Sequence, residues 1–326
     1  MAPTTPTPDI EHKNEDNVSL FMGLSKLLEE IFDPSWLTRQ AHFGNPHPAV
    51  AHWALCQEYL KSEGVLSWQR SIDTSKMMAD AILGIHWLIV ASEGNPQTFG
   101  LGNFLNYGHA DILARLRNEA KTPGGYSGVM TELMFAGWCV ANNVNVVASS
   151  APSVADFVVR GLDGADECCV ECKSLEVSSS IVRRVKARLS EANTQIKATS
   201  DKLPGVALVR LNNVWVNDFS DLGNQPTEVT ASVIAAKRVL NAHLRSVSSA
   251  AVLWDEFNLR DSKERPGVTY AILRRHSLWV DHQAPRLSFR NVSRFHELGA
   301  TLVFEIPKVA ARSAADAAAL LRADSH

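Results

Sequence analysis

No stretch of the chain is apolar over the roughly 20 residues that a membrane-spanning helix requires. The longest candidate, residues 81–91, is interrupted by Gly84 and His86, so no membrane association is expected. Residues 1–18 hold Pro, Thr, Asp and Asn but no basic segment followed by an apolar one, so no secretory leader is read there and a cytoplasmic location is expected. Cysteine is scarce. Cys56, Cys139, Cys168, Cys169 and Cys172 form an odd set with three members on one short segment, which argues against a disulfide framework and fits a reducing compartment. Neither sign of charge dominates either: the formal net charge is -3 and the pI about 6.4. The chain as a whole therefore draws no polyanion to itself, and any nucleic-acid site has to be a local basic patch. No internal repeat is evident at a fixed period.

What is present reads as a globular protein: 45% hydrophobic and 21% charged residues over 326 positions, enough for one large or two modest domains. Residues 1–17 are expected to be a disordered tail. Residues 18–121 read as an all-helical N-terminal region. Leu20, Leu24, Leu27, Leu28 and Ile31 recur at helical spacing and stop before Pro34; further helices are expected at 48–60, 75–89 and 110–120. Thr122, Pro123, Gly124 and Gly125 mark a break. The third region, residues 122–326, alternates between element types. We expect a helix at 131–142, strands at 144–149, 154–160 and 167–175 with a glycine-containing turn at 161–166, and an amphipathic helix at 178–199. In that helix Ile181, Val185, Leu189, Ala192 and Ile196 share a face. A strand at 206–211, a helix at 227–247, strands at 250–257 and 268–280 and an alanine-rich helix at 309–323 follow. The fold class is α/β, a mixed sheet flanked by helices.

The strand from Cys168 to Lys173 carries the chemistry. Side chains alternate along a strand, so Glu171 and Lys173 point one way while Cys168, Val170 and Cys172 point the other. Cys169 lies opposite Cys168 and Cys172, so the three thiols cannot converge on one ion, and they read as small packing residues. Asp156 sits among Ala155, Phe157, Val158 and Val159, an odd place for an acid that merely faces solvent.

The order of a helix with Glu132, a strand with Asp156, a turn, a strand with Glu171 and Lys173, and a helix with Gln195 resembles the PD-(D/E)XK nuclease superfamily, whose fold is restriction-endonuclease-like. The segments that carry the resemblance are Thr131-Glu132-Leu133, Ala155-Asp156-Phe157, Val170-Glu171-Cys172-Lys173 and Gln195-Ile196, within residues 125–211. It implies a metal-dependent endonuclease with Glu132, Asp156, Glu171, Lys173 and Gln195 as catalytic residues. Mg²⁺ (or Mn²⁺) would be held by Asp156 and Glu171, by the main-chain carbonyl of Cys172, and by Glu132 as an outer or second ligand. Such a hard cation takes only one or two carboxylates, and it lowers the pKa of an attacking water. Lys173 would orient or deprotonate that water or stabilise charge on the phosphate, and Gln195 would position the nucleophile or a phosphate. The chain departs from the family pattern at Ala155, where a proline is usual, and at Thr199, where a tyrosine is.

The implied partner is nucleic acid, with DNA expected. Arg183, Arg184, Lys186 and Arg188 on the following helix are candidate contacts to its phosphates. Arg274, Arg275 and His276 are a second candidate basic patch. Double-strand cleavage would need two active sites, through a homodimer or two successive nicks. The alternative is a non-catalytic nucleic-acid-binding or interaction module that retains the fold.

Overall fold

The computed structural model describes residues 22–61, 123–149, 153–160, 167–216, 226–261, 269–287 and 301–306, apart from a few positions within them. The expected tail, the helices at 75–89, 110–120 and 309–323 and the turn at 161–166 lie outside the described residues. Described residues between 22 and 32 are helical. Pro34 then opens a new helix instead of merely ending the old one: α1 (Pro34–Gln40) has Asp33 as its cap, which accepts the amides of Ser35 at 2.8 Å and Trp36 at 3.2 Å. α2 spans Pro48–Lys61.

α3 (Pro123–Ala141) begins where a break is predicted. Pro123 takes the first helical position, where its fixed φ suits the helix and its missing N–H is not needed. The glycines that follow are carried by tertiary packing. Tyr126, Val129, Met130, Leu133, Met134, Phe135, Ala136, Trp138 and Cys139 are all buried, so the helix is enclosed on nearly every side. Its start is tied to the N-terminal helices through Tyr126, whose hydroxyl lies 3.1 Å from His52 Nδ1 and whose ring packs edge-on against His47.

The strands β1 (Asn145–Ala148), β2 (Phe157–Arg160), β3 (Cys168–Glu176), β4 (Gly205–Val216), β5 (Val247–Asp261), β6 (Thr269–Asp281) and β7 (Thr301–Ile306) form one mixed sheet of seven strands in sequence order. β3, β4 and β5 are parallel and the other pairings antiparallel. The two parallel steps are bridged by α4 (Ile181–Thr199) and α5 (Thr227–His243). Two crossovers of one hand moving in one direction place both helices on the same face. There Ile181, Val185, Leu189, Ala192 and Ile196 meet Ala207, Val209, Ala250 and Val252, the main core. α3 covers the other face. β7 has no counterpart among the expected strands, and β4 and β5 run longer than the periodicity suggests.

At the start of β4, a Cβ on Gly205 would collide with the Ser246 carbonyl and with Ile196, so this glycine lets the end of α4 approach the sheet. No described helix is long and apolar enough to cross a membrane.

Candidate active site

The site forms where β2 and β3 part. Their pairing ends at Phe157 with Val170, yet β3 continues to Glu176. Asp156 is not within the strand, as predicted, but in a bend just before it. Extending the register would set its carboxylate directly opposite that of Glu171, an unfavourable like-charge pair. The bend turns Asp156 toward the exposed backbone of β3 instead. Its Oδ2 accepts the amide of Cys172 at 2.8 Å, while Glu171 Oε2 accepts the amide of Asp156 at 2.9 Å. Because the N–H and C=O of one strand residue point to the same edge, the Cys172 carbonyl faces Asp156 as well.

Lys173 stands beside Glu171 as alternation requires. Its ammonium lies 2.5 Å from Glu171 Oε1 and donates to Gln195 Oε1 at 2.8 Å and to Glu191 Oε1 at 3.2 Å. Gln195 and Glu191 are one turn apart on α4, which the apolar face of that helix presses against the sheet. Glu171 is 1% exposed. Burial, and then the charge of Asp156, push its carboxyl up, with Lys173 opposing. Burial would lower Lys173, but Glu171 and then Glu191 outweigh it and hold the ammonium above its usual range. The two directions pull against each other, because a protonated Glu171 would remove the charge that raises Lys173. The ammonium meets three acceptors, so we take Lys173 as charged; one cation then faces both Asp156 and Glu171.

Glu132 projects from α3 on the other face of the sheet, buried at 5% exposure. It lies one turn before Phe135, whose ring centroid is 5.5 Å from that of Phe157, the residue after Asp156. Its charge also helps raise the buried Cys172 thiol, after burial itself and Asp156. Glu132 therefore lies near Cys172, on the α3 side of the sheet. The thiols follow the predicted packing. Cys169 joins the core under α4, and Cys168 lies on the α3 side near Cys139. All five cysteines are free and buried.

The four basic residues of α4 separate. At 3.6 residues per turn, Arg184, Arg188, Glu191 and Gln195 form one edge beside Lys173, whereas Arg183 faces outward and Lys186 lies toward the opposite edge. Arg184 Nη1 donates to the Glu176 carbonyl and Arg188 Nη1 to Glu191 Oε2, at 2.8 and 2.7 Å. The second basic patch is a correction. Arg275 alternates away from His276 into the interior at 2% exposure, where it grips Asp255 through Nε at 2.6 Å and Nη2 at 2.8 Å and contacts Met134. Asp255 also accepts from Arg210 at 2.9 Å.

Two residues of the site escaped the sequence reading. Glu191 is a lone acid in a basic stretch of helix, and no motif marks it. Thr199, noted as a departure from the family pattern, accepts the amide of Ala155 at 2.6 Å and donates to the Gln195 carbonyl at 2.8 Å, so it fastens α4 to the residue before Asp156. Its place one turn after Gln195 was the available signal.

Among the described residues no group of three or more His, Cys, Asp or Glu side chains forms a ready-made metal cage. The Asp156 and Glu171 oxygens and the Cys172 carbonyl are hard donors of the kind Mg²⁺ takes in small number, with water and substrate oxygens completing its shell. No family model matches the chain, and no curated protein or solved structure matches it either.

Proposed function

We propose that the chain is a Mg²⁺- or Mn²⁺-dependent nuclease of the PD-(D/E)XK type that hydrolyses phosphodiester bonds, with DNA as the substrate. The observation that carries this reading is the reciprocal hold of Asp156 and Glu171. Each carboxylate is fixed by an amide of the segment bearing the other, and a single lysine faces the pair. An ordinary surface ion pair has no need of such a construction, and two acids held together under burial are typical of sites built to receive a cation.

Asp156 and Glu171 would hold the metal, with the Cys172 carbonyl beside them and Glu132 behind. When bound, it offsets phosphate charge and lowers the pKa of the attacking water. Lys173, its ammonium ringed by three acceptors, would serve as a fixed positive charge for a non-bridging phosphate oxygen. Gln195 keeps the ammonium in place. In the reaction the water oxygen bonds to phosphorus as the ester P–O bond breaks, the water's proton passing to solvent and the leaving oxygen taking a proton from solvent.

A supercoiled-plasmid nicking assay with a Mg²⁺ and Mn²⁺ series tests the proposal. Metal-dependent nicking is expected. Plasmid, single-stranded DNA and RNA all left intact with both metals would overturn it, and salt-dependent binding without cleavage would point to the non-catalytic alternative.

A further inference from the structure

We propose that Lys173 and Arg188 form one phosphate seat, occupied in the resting protein by the carboxylate of Glu191, and that a backbone phosphate of the nucleic acid takes the seat by displacing it. The identity of the ligand rests on the nuclease reading; the seat itself rests on geometry.

An ammonium has three hydrogens to donate. Lys173 has three acceptors within reach, Glu171 Oε1 at 2.5 Å, Gln195 Oε1 at 2.8 Å and Glu191 Oε1 at 3.2 Å. It can take a phosphate oxygen only by releasing one of them. Glu171 is buried and held through its other oxygen by the Asp156 amide. Glu191 is the partner able to leave, for it makes the longest contact and its side chain is 44% exposed.

The carboxylate of Glu191 is shared in a particular way. Oε1 faces Lys173, and Oε2 accepts from Arg188 Nη1 at 2.7 Å. One cation per oxygen is also how the two non-bridging oxygens of a phosphodiester would be met, with the arginine supplying a directional donor. Arg188 is 45% exposed and lies on the same helix edge, so it stays in place when Glu191 swings out to solvent. Arg184, one turn before Arg188, continues the line and could meet the next phosphate. Glu191 thus screens the two cations until a stronger anion arrives.

The test compares wild type with Glu191→Gln, which keeps size and helix propensity and removes the charge. Binding of a short DNA duplex without metal is followed by fluorescence anisotropy over a salt series, and inorganic phosphate binding by calorimetry. Tighter binding of both, roughly threefold or more, is expected, with the log–log salt slope steeper by about one to two. Adding Arg188→Met should remove most of the gain. Unchanged phosphate and duplex affinity with an unchanged slope would overturn the seat, as would a fall in kcat with binding unaltered, which would make Glu191 part of the chemistry. If wild type cleaves DNA and Glu191→Gln gains nothing, the seat falls and the nuclease reading stands. If neither protein acts on nucleic acid but the variant gains phosphate affinity, the seat stands and the nuclease reading falls.

Discussion

The Glu171 carboxylate accepts the backbone amide of Asp156 at 2.9 Å, while the Asp156 carboxylate reaches the amide immediately after Glu171 at 2.8 Å. This crossed pair concentrates negative charge at the fork between β2 and β3, and most of what can be tested follows from it.

Replacing Asp156 by Asn keeps a carbonyl oxygen for the Cys172 amide but removes the charge that helps push the Glu171 carboxyl up. Cleavage is expected to fall by at least about a hundredfold. The melting temperature should hold or rise, because repulsion with Glu171 is relieved. Plasmid nicking and thermal unfolding, measured on the same preparation, check both halves. A melting temperature that drops by many degrees would show that the charge itself supports the fold.

Stability should depend on pH through Glu171. Its carboxyl is pushed up from the usual 4.5 to about 8, first by burial and then by Asp156. The folded protein therefore binds this proton more tightly than the unfolded chain, so the contribution to stability is full below about pH 4.5 and is lost as pH rises through about 8. Denaturant unfolding across that window should show stability falling with pH, a slope that Glu171→Gln flattens. Added Mg²⁺ should restore stability at the alkaline end, since it compensates the same charge.

Asp255 has the opposite sign. Burial would raise its carboxyl, but Arg275 and then Arg210 outweigh that and hold it at about 2. Its contribution is thus present above the usual 3.8 and is lost only as pH falls through about 2. Asp255→Ala would leave two arginines facing each other in the interior at 1% and 2% exposure. A loss of about 3–5 kcal/mol is expected, measured by urea unfolding. A loss below about 1 kcal/mol would mean that water reaches the arginines.

Thr199→Ala removes the acceptor for the Ala155 amide and should cost about 1–3 kcal/mol. Activity should fall beyond what the lost stability explains, since the bend carrying Asp156 loses its anchor on α4. Thr199→Ser keeps the hydroxyl and should restore most of both. If Ser and Ala variants behave alike, the hydrogen bond is not what positions the bend.

Much of this protein was legible in the chain itself. The five apolar residues of α4 are buried as their spacing requires, and Glu171 and Lys173 share a face because a strand alternates. The mixed α/β arrangement follows from the order of periodicities, and the packing role of the cysteines follows from their opposed faces. These features depend on local geometry, which repeats at fixed intervals and so leaves a trace in one dimension. What tertiary structure alone decided depends on contacts between residues far apart. The bend that turns Asp156 onto the Cys172 amide comes from where β2 stops pairing with β3. The place of Glu132 near Cys172 comes from how α3 crosses the sheet. The burial of Arg275 against Asp255, and the sharing of Glu191 between Lys173 and Arg188, depend on which face each strand and helix finally covers. Spacing tells which way a side chain points, but not what meets it there.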